Sequence, residues 1–252
     1  MVQSRWQAAG LHVAISAGIA LLVTLFIVFI WYPGPFFDAA GGKLLLALLI
    51  GVDICLGPLV TLIIFNPRKA RRLLLLDLSV IATLQLAALA YGVYASFEGR
   101  PVYVAYGQGQ FVSVTANQID SGMLQAASRT EYRSLPWLGP QWVGTRTPTD
   151  AKELSDLAFN QGVTGFGIHY QPQYYQALAD SRVELLQAAK PLQDLRSKHP
   201  QAGQALDQAV AKLDRRPDTL RYLPLKTRQR MLTVLLDGQT GAVLDTLPID
   251  PT

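Results

Sequence analysis

Two carboxylates and a few small or polar residues sit inside long apolar runs, and charged groups in such surroundings are the first place to look for chemistry. Asp53, Gly57 and Thr61 recur at i, i+4 and i+8, one face of a helix. In a second run Asp77, Ile81, Gln85, Ala88 and Gly92 share a face. Three chemistries fit such residues. A pair of aspartates can share a proton as an intramembrane protease does. Carboxyl, amide and hydroxyl groups can hydrogen-bond helices together. The same groups can receive a partner helix, because an unsatisfied carboxyl in lipid favours any helix that offers a donor. Depth separates these readings. Asp53 lies 12 residues from Phe65, and Gln85 the same number from Leu73, each about 18 Å deep at 1.5 Å per residue. Asp77 is only about 6 Å deep. A catalytic pair must sit about 3 Å apart, whereas these two carboxyls differ by about 12 Å along the axis, so the protease is disfavoured. The expectation is two polar layers: Asp53 with Gln85 and Thr24 near mid-membrane, and Asp77 with His12 or the basic-loop arginines near the cytoplasm. Asp77 is also placed in the first turn of its helix, where the dipole favours an anion.

The elements that must position these groups are three apolar runs. Leu44–Phe65 and Leu73–Ala95 are each about 22 residues, enough to span roughly 30 Å of hydrocarbon. The connection between them, Asn66–Arg72, holds Arg68, Lys69, Arg71 and Arg72, cations that are costly to translocate and so mark the cytoplasmic side. The earlier run, Ala8–Tyr32, is too long for a signal-peptide core and ends in Trp-Tyr-Pro-Gly-Pro rather than a small-residue cleavage site. The positive-inside rule then places the N-terminus inside, Pro33–Lys43 outside and everything after Ala95 outside, the periplasm of a Gram-negative cell. Tyr91, Tyr94 and Phe97 form the outer aromatic belt. The expected fold is a membrane protein in which three transmembrane α-helices (about 8–32, 44–65 and 73–95, within residues 1–97) precede an α+β periplasmic domain, 98–252.

Composition agrees with that division. Of 252 residues 50% are hydrophobic and the mean hydropathy is positive, +0.22; the excess sits before residue 97. The chain has 22 Lys+Arg against 18 Asp+Glu. Residues 1–96 contribute six of the cations and three of the anions, so the basic balance is a topology signal and no nucleic-acid partner is expected. The single cysteine, Cys55, rules out an internal disulfide framework.

In the outer part, Pro101–Tyr106 and Gln110–Thr115 around Gly107-Gln108-Gly109 read as a β-hairpin. Gln118–Ala127 reads as helical and Leu135–Pro148 as a Pro/Gly/Trp loop. Thr149 or Asp150 caps a short helix, with Glu153 completing a capping-box pattern from Asp150 and Gly162 stopping it. Tyr174–Lys190 is expected to be the longest soluble helix, Gln201–Asp214 another, and Arg230–Leu236, the turn Asp237–Gly241 and Ala242–Ile249 a second hairpin. The first and last hairpins should share a sheet.

No other motif points to catalysis, a metal or a cofactor. His12, His169 and His199 are scattered without ligand spacing. Gly162–Gly167 lacks the Lys-Ser/Thr of a P-loop, and no Gly-x-Ser-x-Gly occurs. Arg221–Arg230 reads as a solvated cationic face. Trp137 and Trp142 either bind a partner or fold onto the sheet. The C-terminal hairpin could accept a partner strand by augmentation, or could already be covered within the domain.

With Trp31–Phe37, Gly41-Gly42, Gly51–Phe65 (GVDICLGPLVTLIIF), Asp77–Ile81, Gln85–Tyr94, Arg100–Tyr103, Leu135–Trp142 and the final hairpin, the sequence resembles the type IV pilin accessory proteins of the TfpX/TfpZ family. The likeness covers most of the chain and is strongest in the apolar half. It implies a non-enzymatic, chaperone-like factor of the bacterial inner membrane that contacts a type IV major pilin or prepilin and promotes or tunes its assembly. Membrane lipid and the pilus assembly machinery are further partners. It transfers no catalytic motif. Asp53, Pro58, Asp77 and Gln85 match its membrane pattern and, with Gly57 and Thr61, are candidate helix-packing or pilin-contact residues. Trp137 and Trp142 are candidate periplasmic contacts. The alternative is a membrane-bound peptidase or transferase acting on pilin.

Overall fold

The computed structural model describes residues 4–66 and 68–251; within that range the side chains of Leu45, Leu48, Leu49, Val52 and Asp53 lie outside the described set. The chain divides into two compact units. The first runs up to Ile30 and resumes at Gly41–Glu98, and the second joins Trp31–Ala40 to the chain from Gly99 onward.

Helix α1, Arg5–Phe26, starts at Ser4, whose hydroxyl accepts from the Gln7 N–H at 3.2 Å. It continues as a π-helical turn, Ile27–Trp31. A one-turn helix α2, Phe36–Ala39, belongs to the second unit. In the first unit follow α3, Gly42–Ile50, a π-helical segment Gly51–Leu56, α4, Gly57–Ile64, and the long α5, Arg71–Glu98. The widened turn has a local cause. Pro58 has no N–H to offer the carbonyl four residues back and its ring crowds that position, and a π segment ahead of it relieves both strains. Among the described residues two helical stretches, Arg5–Trp31 and Arg71–Glu98, are long and apolar enough to cross a membrane. Their apolar side chains point mostly outward: Leu22, Phe29, Leu84 and Leu86 are all exposed, while α1 buries Ala9, Ser16 and Ala20 and α5 buries Ile81, Gly92 and Ser96.

The second unit is α+β. Strands β1, Pro101–Gly107, and β2, Gln110–Thr115, form the expected hairpin, and its turn has positive φ at Gln108 and Gly109 (51° and 78°), the mirror-image geometry that suits strand twist. Then come α6, Ser121–Gln125, β3, Gln141–Thr145, α7, Ala151–Thr164, β4, Tyr175–Ala177, α8, Arg182–Ala188, β5, Lys190–Pro191, α9, Leu192–Lys198, and α10, Gly203–Leu213. Strands β6, Leu220–Lys226, β7, Met231–Asp237, and β8, Val243–Leu247, complete one sheet in the order β4-β3-β1-β2-β6-β7-β8, with β5 also pairing β6. The β1–β3 and β2–β6 pairs are parallel; the others are antiparallel. Both hairpins thus share a sheet. Strand β1 is buried along its whole length. One core cluster gathers Val102, Tyr103, Val114, Tyr132 and Tyr175, and another gathers Leu195, Leu206, Tyr222, Leu235 and Leu247.

Several expectations need correction. Tyr174–Lys190 is not one helix: Tyr175–Ala177 pairs antiparallel with β3, and only Arg182–Ala188 is α-helical. The longest helix of this unit is α7. Asp150 caps it, accepting from the N–H groups of Lys152 and Glu153, but Gly162 lies inside it, and Gly165 at φ 75° ends it. Leu135–Pro148 contains β3, because Gln141–Thr145 finds a parallel partner in β1. Arg221–Arg230 is not simply a solvated face: Leu220, Tyr222, Leu223 and Leu225 of β6 are buried. Asp77 lies beyond the first turn of α5, which starts at Arg71.

Candidate functional site

In the first unit α1, α4 and α5 bring three polar side chains together. His12 Nδ1 lies 2.6 Å from Thr61 Oγ1, and His12 Nε2 lies 2.7 Å from Gln85 Oε1. With its proton on Nε2, the imidazole donates to the Gln85 carbonyl oxygen and accepts from the Thr61 hydroxyl. The Gly57 carbonyl, 3.1 Å away, is a competing acceptor for that same hydroxyl hydrogen. Thr61 is buried. Gly57 makes the arrangement possible: a Cβ there would fall 2.0 Å from Gln85 Nε2, so only glycine lets α5 bring its amide this close. Gly57, Pro58 and Thr61 form the buried face of α4. A cavity of about 230 Å³ opens beside the cluster, lined by His12, Ser16 and Gln85 with Ile15, Ile19 and Leu86.

The predicted site residues are therefore partly reunited. Gly57, Thr61 and Gln85 meet, and Pro58 packs beside them. The side chain of Asp53 lies outside the described residues. Asp77 does not meet His12; it pairs with Lys69 of the basic connection, a lysine rather than one of the arginines. His12 joins Gln85 instead. Helices starting at one level would set His12 beside Asp77, but α1 starts seven residues before His12 and α5 starts 14 before Gln85, a stagger of about 10 Å. The buried face of α5 also turns through Leu89, leaving Ala88 exposed.

In the second unit the two tryptophans separate. Trp142 stacks edge-on against Phe111 with ring centres 5.2 Å apart. Trp137 and its neighbour Leu138 are 70% and 76% exposed. The loop carrying them is clamped at its base: Tyr103 Oη donates to the Ser134 carbonyl at 3.2 Å, and Arg100 Nη2 donates to the Pro136 carbonyl at 3.2 Å.

A buried histidine also emerges. His169 Nε2 donates to the Gly107 carbonyl at 3.0 Å, and burial holds its imidazole below the ordinary pKa. Thr145 fills the same corner, donating to the Tyr106 carbonyl at 2.9 Å. Its sequence context, Gly167-Ile-His-Tyr, carries no ligand spacing. The one available signal was the pairing of an isolated histidine with apolar neighbours.

What the fold defines is a class: an apolar helical unit, closed by polar contacts between its helices, joined to an α+β domain. The chain belongs to the fimbrial assembly protein family. It is 30% identical over 243 residues to the fimbrial assembly protein of serogroup I of Dichelobacter nodosus, covering 96% of this chain and 94% of that protein. The serogroup E1 protein of the same organism matches to the same extent. The protein of serogroups C1 and C2 is 39% identical over 98 residues, 39% of this chain and 75% of that protein. The family model described as fimbrial assembly protein FimB matches residues 1–41. No solved structure matches the chain.

Proposed function

We propose that the protein is an inner-membrane accessory factor of the TfpX/TfpZ kind that acts in fimbrial biogenesis by binding a type IV pilin or prepilin and promoting its assembly, without catalysing a reaction. The observation that carries this reading is the similarity, over nearly the whole chain, to proteins named for fimbrial assembly. In this reading α1 and α5 span the bilayer, and the helical stretch from Gly42 to Ile64, with its π segment, makes a third span. The N-terminus and the Lys69–Asp77 pair face the cytoplasm, and the second unit lies in the periplasm. The outward apolar side chains of α1 and α5 support the membrane placement, because such surfaces are stable in hydrocarbon and costly in water. The interhelical cluster of His12, Thr61 and Gln85 supports a packed bundle that presents a defined surface to a pilin helix.

In-cell photo-crosslinking tests the reading. Probes at Leu22 and Leu84, both exposed, and at Trp137 should give an adduct with pilin that disappears when the pilin's apolar helix is altered. Pilus display that still depends on the protein, with no adduct at any of these positions, overturns direct binding.

A further inference from the structure

One end of the sheet collects both places where the second unit takes up the chain from the apolar helices. Gly99 and Arg100 directly follow α5, and β1 starts at the next residue. At most about 7 Å of extended backbone separates Arg100 from the last residue of α5. Strand β3 runs parallel to β1, with Tyr103 opposite Gln141, so the loop that leads into β3 lies at the same end as the start of β1. That loop is 134–140, and Arg100 itself holds the Pro136 carbonyl. The turn from β6 to β7 lies at this end too. β6 pairs parallel with β2, with Phe111 opposite Leu225 and Val112 opposite Lys226, and β2 runs back to pair Thr115 with Pro101. Here the segment that follows α1 is attached: the Ala39 carbonyl accepts from the Gln229 N–H at 3.3 Å and lies 3.1 Å from Thr227 Oγ1, whose single hydrogen it shares as an acceptor with the Arg230 carbonyl.

We propose that this sheet end is a lipid-contact surface, in which Trp137 and Leu138 sit in the outer headgroup layer and Arg228 and Arg230 face lipid phosphates. Three features agree. Trp and Leu side by side, 70% and 76% exposed, would be costly in water, and tryptophan is enriched where an apolar ring and a polar N–H must meet the bilayer boundary. The loop is clamped at Ser134 and Pro136, which fixes the base from which the exposed Trp137 and Leu138 are presented. The two cations on the neighbouring turn, Arg228 and Arg230, are exposed and complement anionic headgroups. The proposal rests on the reading of α5 as a membrane span, since covalent continuity with that helix is what brings the sheet end to the bilayer. It assigns Trp137 to lipid rather than to a protein partner.

The test uses the full chain in lipid nanodiscs. Cys55 is the only cysteine, so Cys55→Ala gives a background for single nitroxide labels at Leu138→Cys, Val163→Cys and Leu84→Cys. Accessibility to oxygen, which partitions into lipid, is compared with accessibility to a water-soluble nickel chelate. The expected result is an oxygen-to-nickel ratio at 138 several-fold above that at 163, a position of the same unit that is 69% exposed, and approaching that at 84. A ratio at 138 equal to that at 163, with 84 in lipid, overturns the proposal and leaves the span intact. Shielding of 138 from both reagents, with 84 in lipid, overturns it in favour of a covering protein. An aqueous label at 84 removes the membrane span itself, and the proposal with it. Trp137→Cys, labelled in the same way, guards against a local defect at 138 and should give the same ratio.

Discussion

His12 and Gln85, 73 residues apart in the chain, meet with Nε2 2.7 Å from Oε1, and through the 2.6 Å contact of Nδ1 with Thr61 they tie three helices to one imidazole. Hydrogen bonds between apolar helices are modest individually, about 0.6 kcal/mol on average and up to about 2. His12→Ala removes two at once, while the Thr61 hydroxyl keeps the Gly57 carbonyl as an acceptor. The expected loss is about 1–2 kcal/mol, read by denaturant titration of the full chain in detergent. Thr61→Val and Gln85→Leu should each cost less than His12→Ala, because each removes only one contact to the ring.

Gly57 tests the geometry more sharply. A methyl group there would push the Gln85 amide aside and break its contact with His12, so Gly57→Ala should destabilise the helical unit by about 0.6–2 kcal/mol, the worth of one interhelical hydrogen bond. Shortening the partner should reverse this. In a Gln85→Ala background, Gly57→Ala should be close to neutral, and a double-mutant cycle should return a clear coupling energy. Additive costs in that cycle would count against the close approach of α4 and α5.

His169 sets a pH dependence. Burial depresses its folded-state pKa, and the unfolded value is about 6.5. Below that pH the unfolded chain binds a proton that the folded chain resists. Stability is therefore fully present above about 6.5 and falls as pH drops through the depressed folded-state value. Thermal unfolding followed by near-ultraviolet circular dichroism should show the second unit melting earlier at pH 5 than at pH 7.5. His169→Gln, which keeps a donor for the Gly107 carbonyl, should flatten that difference.

Helix α7 buries Leu157 alone, with Phe159 and Val163 exposed, so its cap carries much of its stability. Asp150→Ala removes the acceptor for two N–H groups and should cost about 1 kcal/mol. Hydrogen exchange should accelerate across residues 151–164, while the amides of β1 and β7 keep their protection.

The elements that were legible in the sequence share one property: their signal is local. The Gln108-Gly109 turn, the Asp150 cap and the Asp237–Gly241 turn each depend on a few adjacent residues, and each stands where its residue types demand. In the last of these the Asp237 carboxylate accepts from the N–H groups of Gln239 and Thr240, which hold its pKa below the usual carboxylate value. The elements that were missed depend on a distant partner. Tyr175–Ala177 is rich in helix-compatible residues and becomes a strand because β3 offers an edge. Leu220–Lys226 has apolar residues at 220, 222, 223 and 225, but Arg221 and Lys226 disguised them; pairing with β7 on one side and β2 on the other buries them.

The amino-acid sequence by itself determined the apolar runs, the basic connection, both hairpins and the small and polar face that carries Gly57 and Thr61, because hydropathy, charge and turn chemistry act over a few residues. Only the tertiary structure decided which groups meet across those faces. The stagger of α1 against α5 puts His12 within reach of Gln85 rather than of Asp77. The parallel pairing of β1 with β3 puts the Trp137 loop beside Arg100, just ahead of β1. Both are consequences of how elements register in space, a choice made by packing and hydrogen-bond satisfaction over the whole unit.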